Sequence, residues 1–321
     1  MKIFVTGATG TLGRELLPLL LKGNHEVWAL RHRKGTDIEH PNLKEVKGDV
    51  VSMEGMDDIE DIPFDRVIHT AATVALGRHN SECQHINGGG TLNVLHWAAK
   101  RKIPQIEHVS TAYLKGRNPY EQSKKSAENF VEMFGRGYAG TLPPVHYRLI
   151  RPSILLSSSG SDRPTGAFYQ FIGMAAGVHR RAEVVRRYVE GKLRLPPVRP
   201  LLRVRGDPDG TLNLIMASDV ARRISNIVGT KTSHKIYWLT NPNPVRLGEL
   251  FEWMGEALLV DLKLVKEPFE MSAVEALFAR MASPFLPYLQ GGINLPSDMD
   301  PVAITPITRD LIKKEALAAI L

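Results

Sequence analysis

The sequence has 321 residues, of which 43% are hydrophobic and 23% are charged, and its formal net charge is +7. A chain of this length can bury a large core and folds as one large domain or two unequal ones. It has no apolar run near the roughly 20 residues that a membrane-spanning helix needs, and Cys83 alone cannot form an internal disulfide. The first predicted strand starts at residue 2 and leaves no room for a signal peptide. We therefore expect a cytoplasmic protein with no membrane span.

The first predicted element is a strand that leads through a glycine-rich turn into a helix. Residues 3–5 are an apolar run that suits a strand buried on both faces. Gly7, Gly10 and Gly13 follow, and leucines at helical spacing come after them. In a phosphate-binding turn, the first glycine permits a tight turn, the second lets the backbone approach pyrophosphate, and the third lets the helix pack closely on the sheet. We therefore predict a dinucleotide site here rather than an ordinary turn, formed by Gly7, Thr9, Gly10, Thr11, Leu12 and Gly13.

The second predicted strand, at 26–30, is followed by basic residues where a site for NAD usually carries an acid that holds the ribose 2′-hydroxyl. Here Arg31, His32 and Arg33 come first, and the first acid is Asp37. Arginine can hold a 2′-phosphate through bidentate, charge-assisted hydrogen bonds. The loop therefore predicts NADP(H) as the cofactor, with Arg31 and Arg33 as its ligands. The alternative is a solvated basic loop.

Three more strands are predicted in the first part of the chain, at 44–47, 66–70 and 106–109. After the third strand, Asp49 and Val50 lie beside the expected adenine pocket, where Asp49 either accepts a hydrogen bond from the adenine amine or caps the next segment. Ala71 and Ala72 follow the fourth strand and are small enough for the cofactor to lie against the backbone. Because strands and helices alternate, we predict an α/β fold with a doubly wound parallel sheet of the Rossmann type.

A hydroxyl, a phenol and an ammonium group follow the fifth predicted strand. Thr111 comes soon after the strand, and Tyr120 and Lys124 are four residues apart, which places them on one face of a helix. The Lys124 ammonium and a positively charged nicotinamide would lower the pKa of the Tyr120 phenol. Tyr120 could then give a proton to a carbonyl oxygen as hydride reaches its carbon, with Thr111 bound to the same oxygen. We predict Thr111, Tyr120 and Lys124 as the catalytic set.

These stretches carry a family resemblance. TGATGTLG, the two alanines after the fourth strand, STAY and YEQSK resemble the extended short-chain dehydrogenase/reductases. HVSTAY, NPYEQSKKSAE and RPSILLSSSGSDRPTG are similar to the thioester reductase and fatty acyl-CoA reductase branch of that family, and the resemblance covers residues 1 to about 245. It implies that Lys124 also binds the nicotinamide ribose and that Pro152 and Ser153 line the nicotinamide pocket.

The resemblance also implies an activity, the NADPH-dependent reduction of an acyl thioester to an aldehyde, with onward reduction to an alcohol as a further option. The acyl group would arrive on coenzyme A or on an acidic carrier protein. Eight residues separate Thr111 from Tyr120, whereas members of the family usually have a longer loop that walls the substrate site. An extended chain covers about 3.3 Å per residue and can span this gap, but we expect an unusually open pocket.

Composition changes after the sixth predicted strand at 147–150, where serine- and glycine-rich residues 157–166 indicate a linker. Further elements follow: helices at 168–177 and 179–190, a return to the main domain at 212–221, a strand at 236–240, and helices at 247–259, 272–281 and 308–320. The helix at 272–281 is predicted to start at the capping box Ser272-x-x-Glu275. We predict that residues 1–160 and 206–245 form the NADP-binding domain. Residues 161–205 and 246–321 would form a smaller, mainly helical substrate-binding domain.

The positive charge is concentrated between Arg163 and Arg205. This segment contains ten lysines and arginines but only two glutamates, which gives it a net charge of +8. One explanation is a solvated face. The other is a docking surface for coenzyme A or an acidic acyl carrier protein, because clustered positive charge steers anionic partners. The candidate docking residues are Arg180, Arg181, Arg186 and Arg187. Nucleic acid is not expected, because the segment has few interleaved aromatic residues and no recognition motif.

Two other functions stay open. The same catalytic set would serve a ketone reductase or hydroxyl dehydrogenase acting on a lipid, a polyketide or a sterol-like molecule. A non-catalytic NADP-sensing protein would have little use for the three residues together. A nucleotide-sugar epimerase or dehydratase is less expected, because such enzymes usually retain NAD. No metal site is predicted, since no Cys/His cluster has the spacing of metal ligands, and a homodimer through helices near 92–102 and 123–132 is implied by the resemblance.

Overall fold

The computed structural model describes residues 1–59, 61–74, 76–77, 79–137, 145–157, 165–177, 180, 199–230 and 234–320. Its strands are β1 (Lys2–Thr6), β2 (Glu26–Arg31), β3 (Leu43–Lys47), β4 (Arg66–His69), β5 (Gln105–Val109), β6 (His146–Pro152), β7 (Ile154–Leu156), β8 (Leu201–Arg205), β9 (Thr211–Leu212), β10 (Leu214–Met216), β11 (Ile236–Leu239), β12 (Val245–Arg246) and β13 (Asp261–Val265). Its helices are α1 (Thr11–Lys22), α2 (Asn80–Cys83), α3 (Gly90–Lys100), α4 (Pro119–Gly135), α5 (residues 167–177), α6 (Ala217–Val228), α7 (Leu247–Leu258), α8 (Ala273–Met281) and α9 (Arg309–Ala318).

Seven strands form one parallel sheet in the order β3-β2-β1-β4-β5-β6-β11. The order reverses beside β1, which pairs with β2 on one side and with β4 on the other. In such sheets, ligands bind outside the carboxyl ends of the strands at the point of reversal. The predicted fold class, a doubly wound Rossmann-type sheet, is confirmed, and the predicted strands of this sheet lie within two residues of those observed.

The sheet is buried on both faces because β1 alternates apolar side chains between two clusters. Ile3 and Val5 pack with leucines of α1 and with Ile224 of α6. Phe4 points to the other face, where its ring centroid lies 4.6 Å from that of Trp97 on α3. Each such side chain, when fully buried, stabilises the fold by about 1.5–3 kcal/mol. The apolar run at residues 3–5 therefore anchors the sheet beneath the glycine turn.

Local sequence signals fix the starts of two helices. The Asn118 side chain accepts a hydrogen bond of 2.9 Å from the backbone N–H of Glu121, and Pro119 occupies the first turn of α4. At α8 both hydrogen bonds of the capping box are formed between Ser272 and Glu275. Such caps satisfy N–H groups that have no partner within the helix. The cap at Asn118 matters for function because α4 carries Tyr120 and Lys124.

A third apolar cluster joins α5, α7, α8 and α9 with the short parallel pair β8–β13. Residues 217–239 belong with the large sheet, since α6 packs on α1 and β11 is the edge strand beside β6. The exact domain boundaries stay a prediction. The arginine-rich helix predicted at 179–190 falls outside the described residues apart from Arg180, which is exposed. No helix in the described part of the chain is long and apolar enough to cross a membrane.

Candidate active site

The glycine turn between β1 and α1 is too tightly packed for side chains. Gly7 has φ +73°, and a Cβ atom there would lie 2.5 Å from Thr70 Oγ1 and 2.6 Å from the backbone nitrogen of Ala71. A Cβ atom on Gly13 would lie 2.2 Å from the carbonyl oxygen of Gly7. The N-terminus of α1 therefore lies directly against the end of β1. Its first N–H groups and the helix dipole favour a bound anion such as pyrophosphate.

One cavity beside this turn brings together several residues that the sequence predicts for the adenosine half of a dinucleotide. Its described wall includes Gly7, Thr9, Asp49, Val50, Ala71 and Ala72. Asp49 Oδ1 accepts a hydrogen bond of 2.8 Å from the backbone N–H of Val51, so this carboxylate does cap the following segment. Its other oxygen lies 3.4 Å from His32 Nε2. His32 also lines the cavity, and the sequence analysis did not select it.

The two arginines predicted to bind a 2′-phosphate, Arg31 and Arg33, are not among the described residues that line this cavity, although His32 between them is. Arg31 Nε is 3.0 Å from Glu45 Oε2 on β3, and Arg33 is exposed. Glu45 also accepts hydrogen bonds from the backbone and side chain of Thr36. Burial raises the pKa of Glu45, but the bonds from Thr36 and the charge of Arg31 outweigh it, so the pKa lies below its ordinary value. The charge of Arg31 is therefore balanced by a carboxylate that the sequence analysis overlooked.

A second cavity, of about 240 Å³, collects the remaining predicted residues. Its wall starts at Gly7, Gly10, Thr11, Leu12 and Gly13, and continues to Thr111, Tyr120, Lys124, Pro152 and Ser153. The predicted catalytic set and the predicted nicotinamide pocket therefore share one cavity. Parallel strands place these residues together, because β1, β5 and β6 end at the same edge of the sheet.

Tyr120 is partly buried, and the Thr111 side chain lies on the same cavity wall, where its Oγ1 accepts a hydrogen bond of 3.2 Å from the backbone N–H of Tyr113. Burial raises the pKa of Tyr120 to about 12, the Thr111 side chain lowers it, and the nearby charge of Glu121 and the Cys83 thiol raise it. The predicted lowering of this pKa by Lys124 and a positively charged nicotinamide concerns the complex with the cofactor and stays a prediction. In the protein alone the pKa is raised, because removal from water disfavours the charged phenolate.

Lys124 is 2% exposed, and its Nζ donates a hydrogen bond of 2.7 Å to the carbonyl oxygen of Val109. Burial lowers the pKa of Lys124 to about 8, although the charge of Glu128 raises it. Glu128 itself forms a bidentate pair with Arg151, at 2.9 and 2.6 Å. The ammonium group thus loses its proton much closer to neutral pH than an ordinary lysine does.

Two buried histidines, which the sequence analysis did not select, lie near this lysine on neighbouring strands. His69 and His108 are directly opposite in β4 and β5, with ring centroids 5.3 Å apart. Burial, together with the charge of Lys124, lowers the pKa of His69 to about 3 and that of His108 well below its ordinary value. The His69 ring is hydrogen-bonded through Nδ1 to Thr6 Oγ1 at 2.7 Å and through Nε2 to Thr91 Oγ1 at 3.0 Å. Both rings are therefore neutral at physiological pH.

Beyond the catalytic set, the cavity continues into an apolar chamber. Its side chains come from α5, α7 and the segment before Leu286, and include Phe168, Phe171, Leu250, Phe251, Met254 and Phe285. Ser110 and Ser153 also line the cavity, and their buried hydroxyls have no hydrogen-bond partner within the described residues. Buried polar groups of this kind normally have a partner. The two hydroxyls can therefore serve a bound molecule.

A sequence model of the NAD-dependent epimerase/dehydratase family matches residues 3–222, the part that holds the large sheet, the glycine turn and the catalytic set. The chain belongs to this family. This agrees with the resemblance of its motifs to the extended short-chain dehydrogenase/reductases.

Individual family members are only distantly similar to this one. A Mycobacterium tuberculosis 3 beta-hydroxysteroid dehydrogenase/Delta 5-->4-isomerase is 26% identical over 117 residues, which are 34% of this chain and 31% of that protein. The chain thus matches about a third of the length of that enzyme. UDP-glucose 4-epimerase from Bifidobacterium longum, solved with NAD+ and UDP, has a TM-score of 0.68 at 16% identity, covering 99% of this chain and 97% of the other.

A thiolation-reductase di-domain from an archaeal non-ribosomal peptide synthetase has a TM-score of 0.64 at 17% identity, covering 89% of this chain and 65% of that one. At such low identities the likeness establishes the fold. Within this family member, the residues present fit a nicotinamide dinucleotide. The glycine turn admits no Cβ at two positions, and the hydroxyls of Ser110 and Ser153 need partners where the nicotinamide end is expected.

Proposed function

We propose that this family member is an NADPH-dependent reductase of an acyl thioester, which it converts to an aldehyde. The observation that carries the proposal is the continuity of one cavity from the glycine turn, past Thr111, Tyr120 and Lys124, into the apolar chamber. A carbonyl carbon at the catalytic set can therefore carry an apolar chain that extends into the chamber. Its burial there is favourable by about 25 cal/mol per Å² of apolar surface.

When bound, the cofactor supplies the hydride. Thr111 and Tyr120, which line the same cavity, hold the carbonyl oxygen of the substrate between their hydroxyls. Tyr120 gives its proton to that oxygen, and Lys124 stabilises the phenolate left behind. For a thioester, the resulting hemithioacetal loses its thiol, which takes up the proton and leaves an aldehyde. One hydride and one proton are consumed for each aldehyde and thiol formed.

The apolar chamber argues against a nucleotide sugar as substrate. Burying a hydroxyl-rich ring among Phe171, Phe251 and Met254 would leave sugar hydroxyls without partners, at a cost of about 1–3 kcal/mol each. The motif resemblance and the shared fold with a thiolation-reductase di-domain support the thioester. The partial match with a hydroxysteroid dehydrogenase favours a second candidate, a ketone reductase or hydroxyl dehydrogenase acting on a sterol-like or lipid substrate.

NADPH rather than NADH is proposed because the end of β2 is basic. His32 lines the adenosine cavity, and Arg33 lies next to it in the chain. Glu45 balances the charge of Arg31, which weakens the contribution expected from that residue. Docking of an acidic carrier protein on the basic segment is proposed from sequence, since Arg181, Arg186 and Arg187 lie outside the described residues. Cytoplasmic location and a homodimer stay predictions.

The experiment that tests the proposal is NADPH oxidation against a panel of acyl-CoA, acyl-carrier and ketone substrates, with a chromogenic thiol reagent present. Thiol release matched to NADPH consumption supports the thioester reductase. NADPH consumption with ketones alone favours the second candidate. Tight NADPH binding without turnover on any substrate would contradict both and leave an NADP-sensing protein.

A further inference from the structure

A buried polar cluster joins the first turn of α4 to the C-terminal part of the chain. Tyr288 lies in a 3₁₀ turn at Leu286–Leu289. Its hydroxyl donates a hydrogen bond of 2.7 Å to Glu121 Oε1 and accepts one of 2.9 Å from Asn118 Nδ2. Glu121 is fully buried and Tyr288 is 9% exposed. A residue 167 positions further along the chain therefore binds the residue that directly follows Tyr120.

Arg117 completes the cluster and balances its charge. Its backbone N–H donates to Glu121 Oε2 at 3.0 Å, and its Nε and Nη2 donate to Oε1 at 2.9 and 2.7 Å. The guanidinium also lies 4.0 Å from the centroid of the Tyr288 ring and 5.3 Å from that of Tyr113. Both carboxylate oxygens of Glu121 thus have partners. A buried network with its partners in place is rigid, and losing one partner is costly.

The cluster borders the catalytic cavity without supplying its chemistry. Tyr113 and Tyr288 line the cavity and pack edge to face at 5.3 Å, whereas Arg117 and Glu121 do not line it. Eight residues connect Thr111 to Tyr120, and Tyr113 and Arg117 are two of them. The connection is therefore covered by Tyr288 from the C-terminal part.

We propose that Arg117, Glu121 and Tyr288 form a brace that positions Tyr120 for proton transfer and closes the cavity wall beside it. This inference rests on the proposed function. The first turn of a helix lacks intrahelical partners for its N–H groups, so it needs outside contacts to stay in place. Misplacing a reacting group by about 1 Å can cost on the order of 100-fold in rate. Tyr288 is accordingly a positioning residue that acts through Glu121.

The test is Tyr288→Phe, which keeps the ring and removes both hydrogen bonds of the hydroxyl. The matched control is Tyr169→Phe, since the buried Tyr169 hydroxyl likewise binds a buried carboxylate, that of Glu315, but does not contact α4 or line the cavity. Two readouts are compared for each variant, both with intact protein. The first readout is kcat, measured together with the Kd for NADPH. The second is the pKa of Tyr120, measured by a pH titration that NMR of ¹³Cζ-labelled tyrosine monitors.

For Tyr288→Phe, we expect kcat to fall about tenfold or more with the NADPH Kd unchanged. Water admitted beside Tyr120 should also move its pKa from about 12 toward the ordinary value near 10. Tyr169→Phe should change neither quantity, even if it lowers the melting temperature as much. Arg117→Lys removes the two hydrogen bonds of the guanidinium with Glu121 Oε1. It should have the same effects as Tyr288→Phe.

The brace is refuted if Tyr288→Phe and Arg117→Lys both keep the wild-type kcat and Tyr120 titration while losing only stability. The proposed function, rather than the brace, fails if none of the tested substrates makes the wild-type protein oxidise NADPH. The titration still decides whether the brace holds Tyr120 in place, because it needs no substrate.

Discussion

Lys124 Nζ donates its hydrogen bond to the carbonyl oxygen of Val109, at 2.7 Å, and so ties the catalytic helix to the end of β5. This partner is a neutral backbone group, and the two histidines nearby are also neutral. The charge of Glu128 raises the pKa of Lys124, but its effect is smaller than that of burial. Burial therefore dominates, and the pKa of this lysine falls to about 8.

The first prediction concerns stability against pH. Because the folded pKa of Lys124 is about 8 and its unfolded value is 10.5, the group is protonated in both states below about pH 8. Between these values the unfolded chain holds a proton that the folded one lacks, so stability rises with pH, by at most about 1.4 kcal/mol per unit. Lys124→Met should remove this rise, measured by urea unfolding at several pH values. Lys125→Met, at an exposed neighbour, should retain it, and a parallel pH response in both variants would count against the assignment.

The second prediction concerns the proton donor. Tyr120→Phe should lower kcat by about 10²–10⁴-fold, because a positioned general acid contributes about that much. The NADPH Kd should stay within about twofold, since the ring and the rest of the cavity remain. Tyr237→Phe is a suitable control, because Tyr237 is buried in the edge strand away from the cavity. Full activity of the Tyr120 variant would exclude this phenol as the donor.

The third prediction compares two glycines. Gly13→Ala should abolish measurable dinucleotide binding and destabilise the fold, because the new Cβ would lie 2.2 Å from the Gly7 carbonyl oxygen. Gly173→Ala, in α5, would place its Cβ more than 4 Å from every described atom other than those of its chain neighbours and its own helix backbone and should stabilise the protein by about 0.5–1 kcal/mol. Calorimetry and cofactor fluorescence measure both effects. If the Gly13 variant bound NADPH normally, α1 would have to be able to move away from β1 to make room for the Cβ.

The fourth prediction concerns cofactor choice. Glu45→Gln should tighten NADPH binding, because Arg31 loses its counter-charge, while NADH binding should change little. An exposed ion pair is worth about 0.2–1 kcal/mol, so the gain should be up to about fivefold. Arg33→Ala should weaken NADPH binding alone. Binding titrations with both cofactors check this, and equal changes for NADH and NADPH would mean that no 2′-phosphate contacts this loop.

Much of the dinucleotide half of the site follows from local sequence. Gly13 is required by its contact with Gly7, six residues away, and Gly7 by its φ of +73°. The placement of Tyr120 and Lys124 follows from helical periodicity. The capping box at Ser272 is likewise local. Such features need few long-range contacts, and for that reason the sequence indicates them. The family match over residues 3–222 agrees with the resemblance that these motifs carry.

The remaining features arise where distant segments meet. The partner of Arg31 is on β3, the partner of Glu121 is Tyr288, and the apolar chamber draws on α5 and α7. The pKa of Tyr120 is raised in the protein alone because burial, a property of the whole surroundings, is its largest cause. The sequence by itself determined the nucleotide turn and the catalytic residue types. The tertiary structure decided their charges, their surroundings and the shape of the cavity, because desolvation and packing depend on chain segments that periodicity and spacing do not relate.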